Sequence, residues 1–302
     1  MENFQYLEGV YNITPTPFTP DGALDKNSLR RLTDFIIKTG VNGMTILGVL
    51  GESHKVTEAE REQIIATVIE AVNGRIPVCV GTSHSGTDTC IVYSKQAEAM
   101  GAKAVMVAPP KLSRSTDAAL RRHYLAVAEA VSIPVVIQDH PASSGVVMSI
   151  DFIAAIADEA PHCAFLKLED EPSPTKVSAV LNANANIKVL GGLGGMMFLE
   201  ELRHGAVGTM TGFAFPEILV DIYQKYHSGD IDGATEIFYR YCPLIRFENQ
   251  PLINLALRKQ IYHIRGAIDS PRVRSPFMPV DAGTLADLND ILTRLELTPE
   301  QV

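Results

Sequence analysis

No stretch of the 302 residues approaches the roughly 18 consecutive apolar positions that a membrane span needs. The first ten residues, MENFQYLEGV, have neither the charged start nor the apolar centre of a secretion signal. No membrane partner is expected, and the expected location is the cytoplasm. A basic run that could neutralise a phosphate backbone is also missing: 26 Lys and Arg stand against 35 Asp and Glu, a net charge of -9, so nucleic acid is not an expected partner. Cysteines number only four, Cys79, Cys90, Cys163 and Cys242, with no CxxC or other metal-ligand spacing. They read as buried thiols in a reducing compartment. The eight histidines form no HxH or HExxH pattern, so no metal is expected. No tract has the low complexity of a disordered segment, and 46% hydrophobic residues suffice for a packed core.

What is present is a recurrence of short apolar runs, each followed by a Gly- or Pro-rich turn and a helix-like segment. The runs are Val10 to Phe18, Gly43 to Leu47, Pro77 to Gly81, Lys103 to Pro109, Pro134 to Gln138, Cys163 to Glu169, Ile187 to Gly192 and Val207 to Gly212. Continuous apolar runs, rather than alternating ones, suit strands buried on both faces, and the spacing suits βα units. Eight such units close a barrel. The segments between them agree: Ser28 to Thr39 repeats apolar residues at helical spacing, and Thr57 with Glu60 forms a capping box ahead of a helix that stops at Gly74. Further helices are expected over Thr116 to Val131 and Ser149 to Asp158. The fold class is therefore α/β, a (β/α)8 barrel over residues 1–220, followed by a helical region over 221–302.

In such a barrel the chemistry sits at the C-terminal ends of the strands. Lys167 stands inside AFLKLE, where an apolar residue would be the cheaper choice. A buried amine has a lowered pKa, the condition for a nucleophile that condenses with a carbonyl; the alternative is an ion pair with Glu169 that has no catalytic use. Glu169 lies two residues on, on the same face, and serves either as a proton-transfer group or as a counter-ion. Gln138 ends the fifth run and is followed by Asp139, His140 and Pro141. An amide cannot act as a base, but it can orient water or substrate. The turn GVLGES, Gly48 to Ser53, could hold a carboxylate on its backbone N–H groups, although tight βα turns use Gly for conformation alone. GGLGGM, from Gly191 to Met196, lacks the GxGxxG order of a dinucleotide site. His84 and His140 fall near strand ends, where scattered histidines are more often surface or core residues than ligands.

Taken together, GVYNITPTPFTPDGALD, GVLGES, the VAPP strand end, QDHPASSG, FLKLE and the helical tail resemble the dihydrodipicolinate synthase and N-acetylneuraminate lyase superfamily of Schiff-base lyases, over nearly the whole chain. The resemblance implies Lys167 as the Schiff-base lysine, and backbone at Gly48, Val49 and Leu50 as the holder of the carboxylate of a 2-oxo acid. It also implies that no metal or organic cofactor is needed. Asp139, Ser144, Gly192 and Thr209 join these as substrate-binding candidates. The chain departs from the family's pattern where Val49 and Leu50 replace two hydroxyl residues, where Gln138 replaces a catalytic tyrosine, and where Pro110 and Lys111 align with a second tyrosine. Together with Lys167 and Glu169, Gln138 is similar to the branch that dehydrates 2-keto-3-deoxy sugar acids, the L-2-keto-3-deoxyarabonate dehydratases. The implied reaction is loss of water to give 2-oxoglutarate semialdehyde, with Lys167, Glu169 and Gln138 catalytic. A pyruvate-releasing retro-aldol lyase of the same family and an inactive barrel that binds a sugar acid remain the alternatives. The partner expected is a small-molecule 2-oxo acid, and the family implies a homotetramer built as a dimer of dimers.

Overall fold

The computed structural model describes residues 7–297. Eight parallel strands close into a barrel in chain order: β1 (Gly9–Ile13), β2 (Gly43–Ile46), β3 (Val78–Gly81), β4 (Ala104–Val107), β5 (Val135–Asp139), β6 (Phe165–Leu168), β7 (Lys188–Gly191) and β8 (Gly208–Thr211). The sheet closes where Val10 of β1 pairs with Thr209 of β8. Each strand falls on an expected apolar run. The first is shorter than expected, ending at Ile13 rather than Phe18, because Pro15 and Pro17 have no N–H to give to a ladder. Thr14 still donates to the Thr45 carbonyl, after which the chain leaves the sheet.

Strand alternation splits the apolar side chains into two cores. Tyr11, Ile13, Cys79, Met106, Val136, Phe165, Leu190 and Met210 point inward and fill the barrel. Val10, Met44, Ile46, Val80, Ile137, Leu166 and Val189 point outward and pack under the helices. Burial on both faces is why these runs are continuously apolar. Full burial of each such side chain contributes about 1.5–3 kcal/mol, so a lysine among the inward set is conspicuous.

The helices begin where the capping chemistry places them. Thr57 Oγ1 accepts from the Glu60 N–H at 3.2 Å and Glu60 Oε2 accepts from the Thr57 N–H at 2.9 Å, opening Glu58–Val72. Thr116 and Ser149 cap Asp117–Ala130 and Ile150–Glu159 in the same way, each accepting from an N–H three residues on. After the barrel come Pro216–His227, Ile231–Glu248, Asn254–Ile264 and Ala282–Arg294. The expected change at residues 220 and 221 falls inside Pro216–His227, and Phe238, Leu244 and Leu288 join the same outer core as the strands. Among the described residues no helix is long and apolar enough to cross a membrane. All four cysteines are free, three of them buried.

Candidate active site

Lys167 sits in the middle of β6 with its side chain inside the barrel, 2% exposed, surrounded by the inward apolar set. The register of β5 and β6 puts Gln138 directly beside it, and the Glu169 N–H donates to the Asp139 carbonyl at 2.8 Å, extending the pairing one step past the strand. Gln138, Lys167 and Glu169 therefore share the inner face. The carboxylate of Glu169 is where they meet: its Oε2 lies 2.5 Å from Lys167 Nζ and accepts from Gln138 Nε2 at 2.8 Å. His140, two residues past Gln138 on the same face, brings Nδ1 to 3.8 Å from that oxygen.

Electrostatics follow from this packing. Burial lowers the pKa of Lys167, with Glu169 opposing and Arg258 adding to the lowering, so the amine reaches its nucleophilic neutral form more readily. Burial alone would raise Glu169. Lys167, His140 and the Gln138 amide outweigh it, and the carboxyl is held below its ordinary value, in its ionised form. Room for it comes from Gly192, where an added Cβ would stand 2.3 Å from Glu169 Cγ. The ion pair foreseen as one alternative for Lys167 and Glu169 is present.

The loop after β2 holds a second group of expected residues. Leu47 and Glu52 both take left-handed backbone, with φ of 56° and 54°. Their turn leaves the N–H groups of Val49 and Leu50 without a hydrogen bond to the described residues, as a carboxylate cradle requires. What fixes the loop is Glu52, fully buried, accepting from Lys259 Nζ at 2.6 Å, Lys55 Nζ at 2.9 Å and the Arg274 N–H at 3.0 Å. Thr16 Oγ1 ties down the Gly51 carbonyl at 2.7 Å.

Three expected residues are not brought to this cavity. Asp139 follows Gln138 and so faces outward, where its Oδ2 accepts from Lys176 Nζ at 2.6 Å. Thr209 is turned outward by the alternation that sends Met210 inward, and its hydroxyl donates to the Gly191 carbonyl at 3.2 Å. Ser144 closes the short helix Pro141–Ser144, donating to the His140 carbonyl at 3.1 Å and accepting from the Val146 N–H at 3.1 Å. Conversely, sequence reading passed over the contribution of helix Asn254–Ile264. Arg258 is buried at the mouth of the barrel, donating to Glu248 Oε1 at 2.8 Å and to Asn249 Oδ1 at 3.0 Å, while Asn249 donates to the Leu193 carbonyl at 2.9 Å. Glu248 also accepts from the Ala214 N–H at 3.0 Å, so one buried network ties the loops after β7 and β8 together. Buried charges in an otherwise apolar helix were the signal available for it.

Comparison with known proteins agrees with this geometry. The model of the dihydrodipicolinate synthetase family matches residues 6–295. L-2-keto-3-deoxyarabonate dehydratase of Azospirillum brasilense is 33% identical over 293 residues, covering 95% of this chain and 94% of that protein. 4-Hydroxy-tetrahydrodipicolinate synthase of Methanothrix thermoacetophila is 31% identical, covering 96% and 97%. The crystal structure of dihydrodipicolinate synthase from Rhodopseudomonas palustris superposes with a TM-score of 0.90 at 33% identity, covering 96% of this chain and 98% of that one. The buried lysine with its carboxylate and the closed eight-stranded barrel belong, in this chain, to a member of the dihydrodipicolinate synthetase family of lyases.

Proposed function

We propose that the chain is a hydro-lyase that removes water from a 2-keto-3-deoxy sugar acid through a Schiff base on Lys167, with L-2-keto-3-deoxyarabonate as the first substrate to test. The observation that carries this reading is the convergence of Lys167 Nζ and Gln138 Nε2 on one oxygen of Glu169. The amine condenses with the C2 carbonyl, releasing water and leaving an iminium that acidifies C3. Glu169 takes the C3 proton. Gln138 has no basic form at neutral pH, so its part is to hold the carboxylate, and through its carbonyl oxygen a water or substrate hydroxyl. The enamine then expels the C4 hydroxyl, and tautomerisation and hydrolysis give 2-oxoglutarate semialdehyde. The unbonded N–H groups of Val49 and Leu50 are assigned to the substrate carboxylate. The relative from Azospirillum brasilense supports the same assignment by its name.

A retro-aldol lyase would start from the same imine but takes the proton of the C4 hydroxyl instead of that of C3, the task of the tyrosine whose place Gln138 holds, and an amide has no basic form for it. Borohydride reduction in the presence of pyruvate or L-2-keto-3-deoxyarabonate, followed by intact-mass analysis and peptide mapping, tests the first step. An adduct on Lys167 is expected. Glu169→Gln should still trap pyruvate while losing semialdehyde formation by about 10²-fold or more, the usual worth of a positioned acid or base. No adduct, or full activity of Glu169→Gln, would sink the mechanism, and lactate dehydrogenase coupling would expose a pyruvate-releasing enzyme. The location in the cytoplasm and the tetrameric assembly are proposed with it.

A further inference from the structure

Removing the C3 proton leaves half of the elimination unaccounted for, because the C4 hydroxyl is a poor leaving group unless a proton reaches it. Glu169 is poorly placed to supply both ends. Its Oε2 is confined between Lys167 Nζ and Gln138 Nε2, at the level of the barrel where the carbon next to the imine must lie. One layer nearer the mouth stands His140. Its Nδ1 is 3.8 Å from Glu169 Oε2, and its side chain is 22% exposed, so it borders both the reacting carboxylate and solvent.

Hydrogen bonding around the ring fixes its orientation. Ser143 Oγ lies 2.9 Å from His140 Nδ1, and the same hydroxyl donates its hydrogen to the His140 carbonyl at 3.2 Å. These contacts hold the ring with Nδ1 near Glu169. Glu169 is the charged group that faces the ring; Asp139 and Lys176 are paired behind β5, on its other side. A substrate bound as an imine on Lys167 would run outward past Glu169, with C3 beside the carboxylate and C4 beside the ring.

We propose that His140 is a further catalytic residue, the general acid that protonates the departing C4 hydroxyl. Glu169 takes the C3 proton and the C–H electron pair forms the enamine. That pair then moves back to make the C3–C4 double bond as the C4–O bond breaks onto oxygen, and the Nδ1 proton completes a water molecule. The neutral imidazole regains its proton from solvent at its exposed edge. Since the proposal rests on the dehydration reading, its test is built to fail separately from it.

The test compares wild type with His140→Gln on L-2-keto-3-deoxyarabonate and on the analogue carrying fluorine at C4, whose leaving group needs no proton. The variant should still trap pyruvate on Lys167 and still exchange C3 hydrogen for deuterium in D2O. Its semialdehyde formation should fall by about 10²-fold or more. Fluoride release from the analogue should stay near the wild-type rate. Ser143→Ala, which frees the ring without removing it, should give a smaller loss of the same pattern. Semialdehyde formation by His140→Gln at the wild-type rate overturns the role, and so do equal losses on both substrates, which would mark a merely structural part. A wild type that traps the substrate but never eliminates water overturns the dehydration reading and this role together.

Discussion

At the scale of single residues the site depends on what one position leaves empty. That position is Gly192, in the loop after β7. Its use is spatial: a methyl group there would lie 2.3 Å from Glu169 Cγ and 3.1 Å from Oε1. Backbone on one side and a short, buried side chain on the other leave no flexible end to give way, so Gly192→Ala must push the carboxylate off Lys167 and Gln138. Displacements of about 1 Å at a reacting group can cost 10²-fold in rate. The expected outcome is a loss of that order in kcat for semialdehyde release, with pyruvate still trapped on Lys167, because the amine itself is untouched. An unchanged kcat in a folded Gly192→Ala protein would show that the carboxylate is not held where the structure puts it.

At the scale of elements, the outer side of the same strand ends carries a second charged group. Lys176, on Ser173–Ala183, donates to Asp139 Oδ2 at 2.6 Å and to Asp170 Oδ2 at 2.8 Å. Asp139 follows Gln138 and Asp170 follows Glu169, so one ammonium clamps from behind the two chain ends whose inward neighbours are hydrogen-bonded to each other. Burial works against the charge on Lys176, but its hydrogen bonds to the two aspartates outweigh it and raise its pKa. Burial raises Asp139, with Lys176 opposing, and its Oδ1 has no hydrogen-bond partner. Removing one partner of such a pair costs about 3–5 kcal/mol because the other charge is stranded. Lys176→Met should therefore lose stability on that order in urea unfolding, and adding Asp139→Asn should restore much of it; a single variant as stable as wild type would refute the clamp. The inner set was legible from sequence because a lysine, a carboxylate and an amide at strand ends violate the apolar rule. The facing of Asp139 and Thr209 was not, since a one-residue shift in where alternation is counted reverses a side chain. The pairing of Glu52 with Lys259 was out of reach for another reason: 207 residues separate them, and only the closed barrel brings helix Asn254–Ile264 to the loop after β2.

At the scale of the whole molecule, eight strands and their order could be read from the spacing of apolar runs, because burial on both faces leaves a pattern that does not depend on partners. The pH response of the folded state could not, since it depends on how thoroughly one carboxyl is enclosed. Glu201, on Phe198–Arg203, is fully buried against β7 at Gly191, accepting from Ser173 Oγ at 2.7 Å, while its Oε2 has no hydrogen-bond partner. Burial pushes its pKa from the ordinary 4.5 up to about 7, with the Ser173 hydrogen bond opposing. The sign follows directly. Below pH 4.5 the carboxyl is protonated in both folded and unfolded chains and detracts nothing; as pH rises towards 7 the unfolded chain ionises while the folded one does not, and stability falls. A shift of this size corresponds to about 3 kcal/mol. Glu201→Gln keeps the shape and an acceptor for Ser173 but cannot ionise, so its urea midpoint should rise relative to wild type between pH 4.5 and pH 8, and stay level above that. Parallel curves for the two proteins across this range would mean that Glu201 is already ionised in the fold, with a counter-charge or water at Oε2.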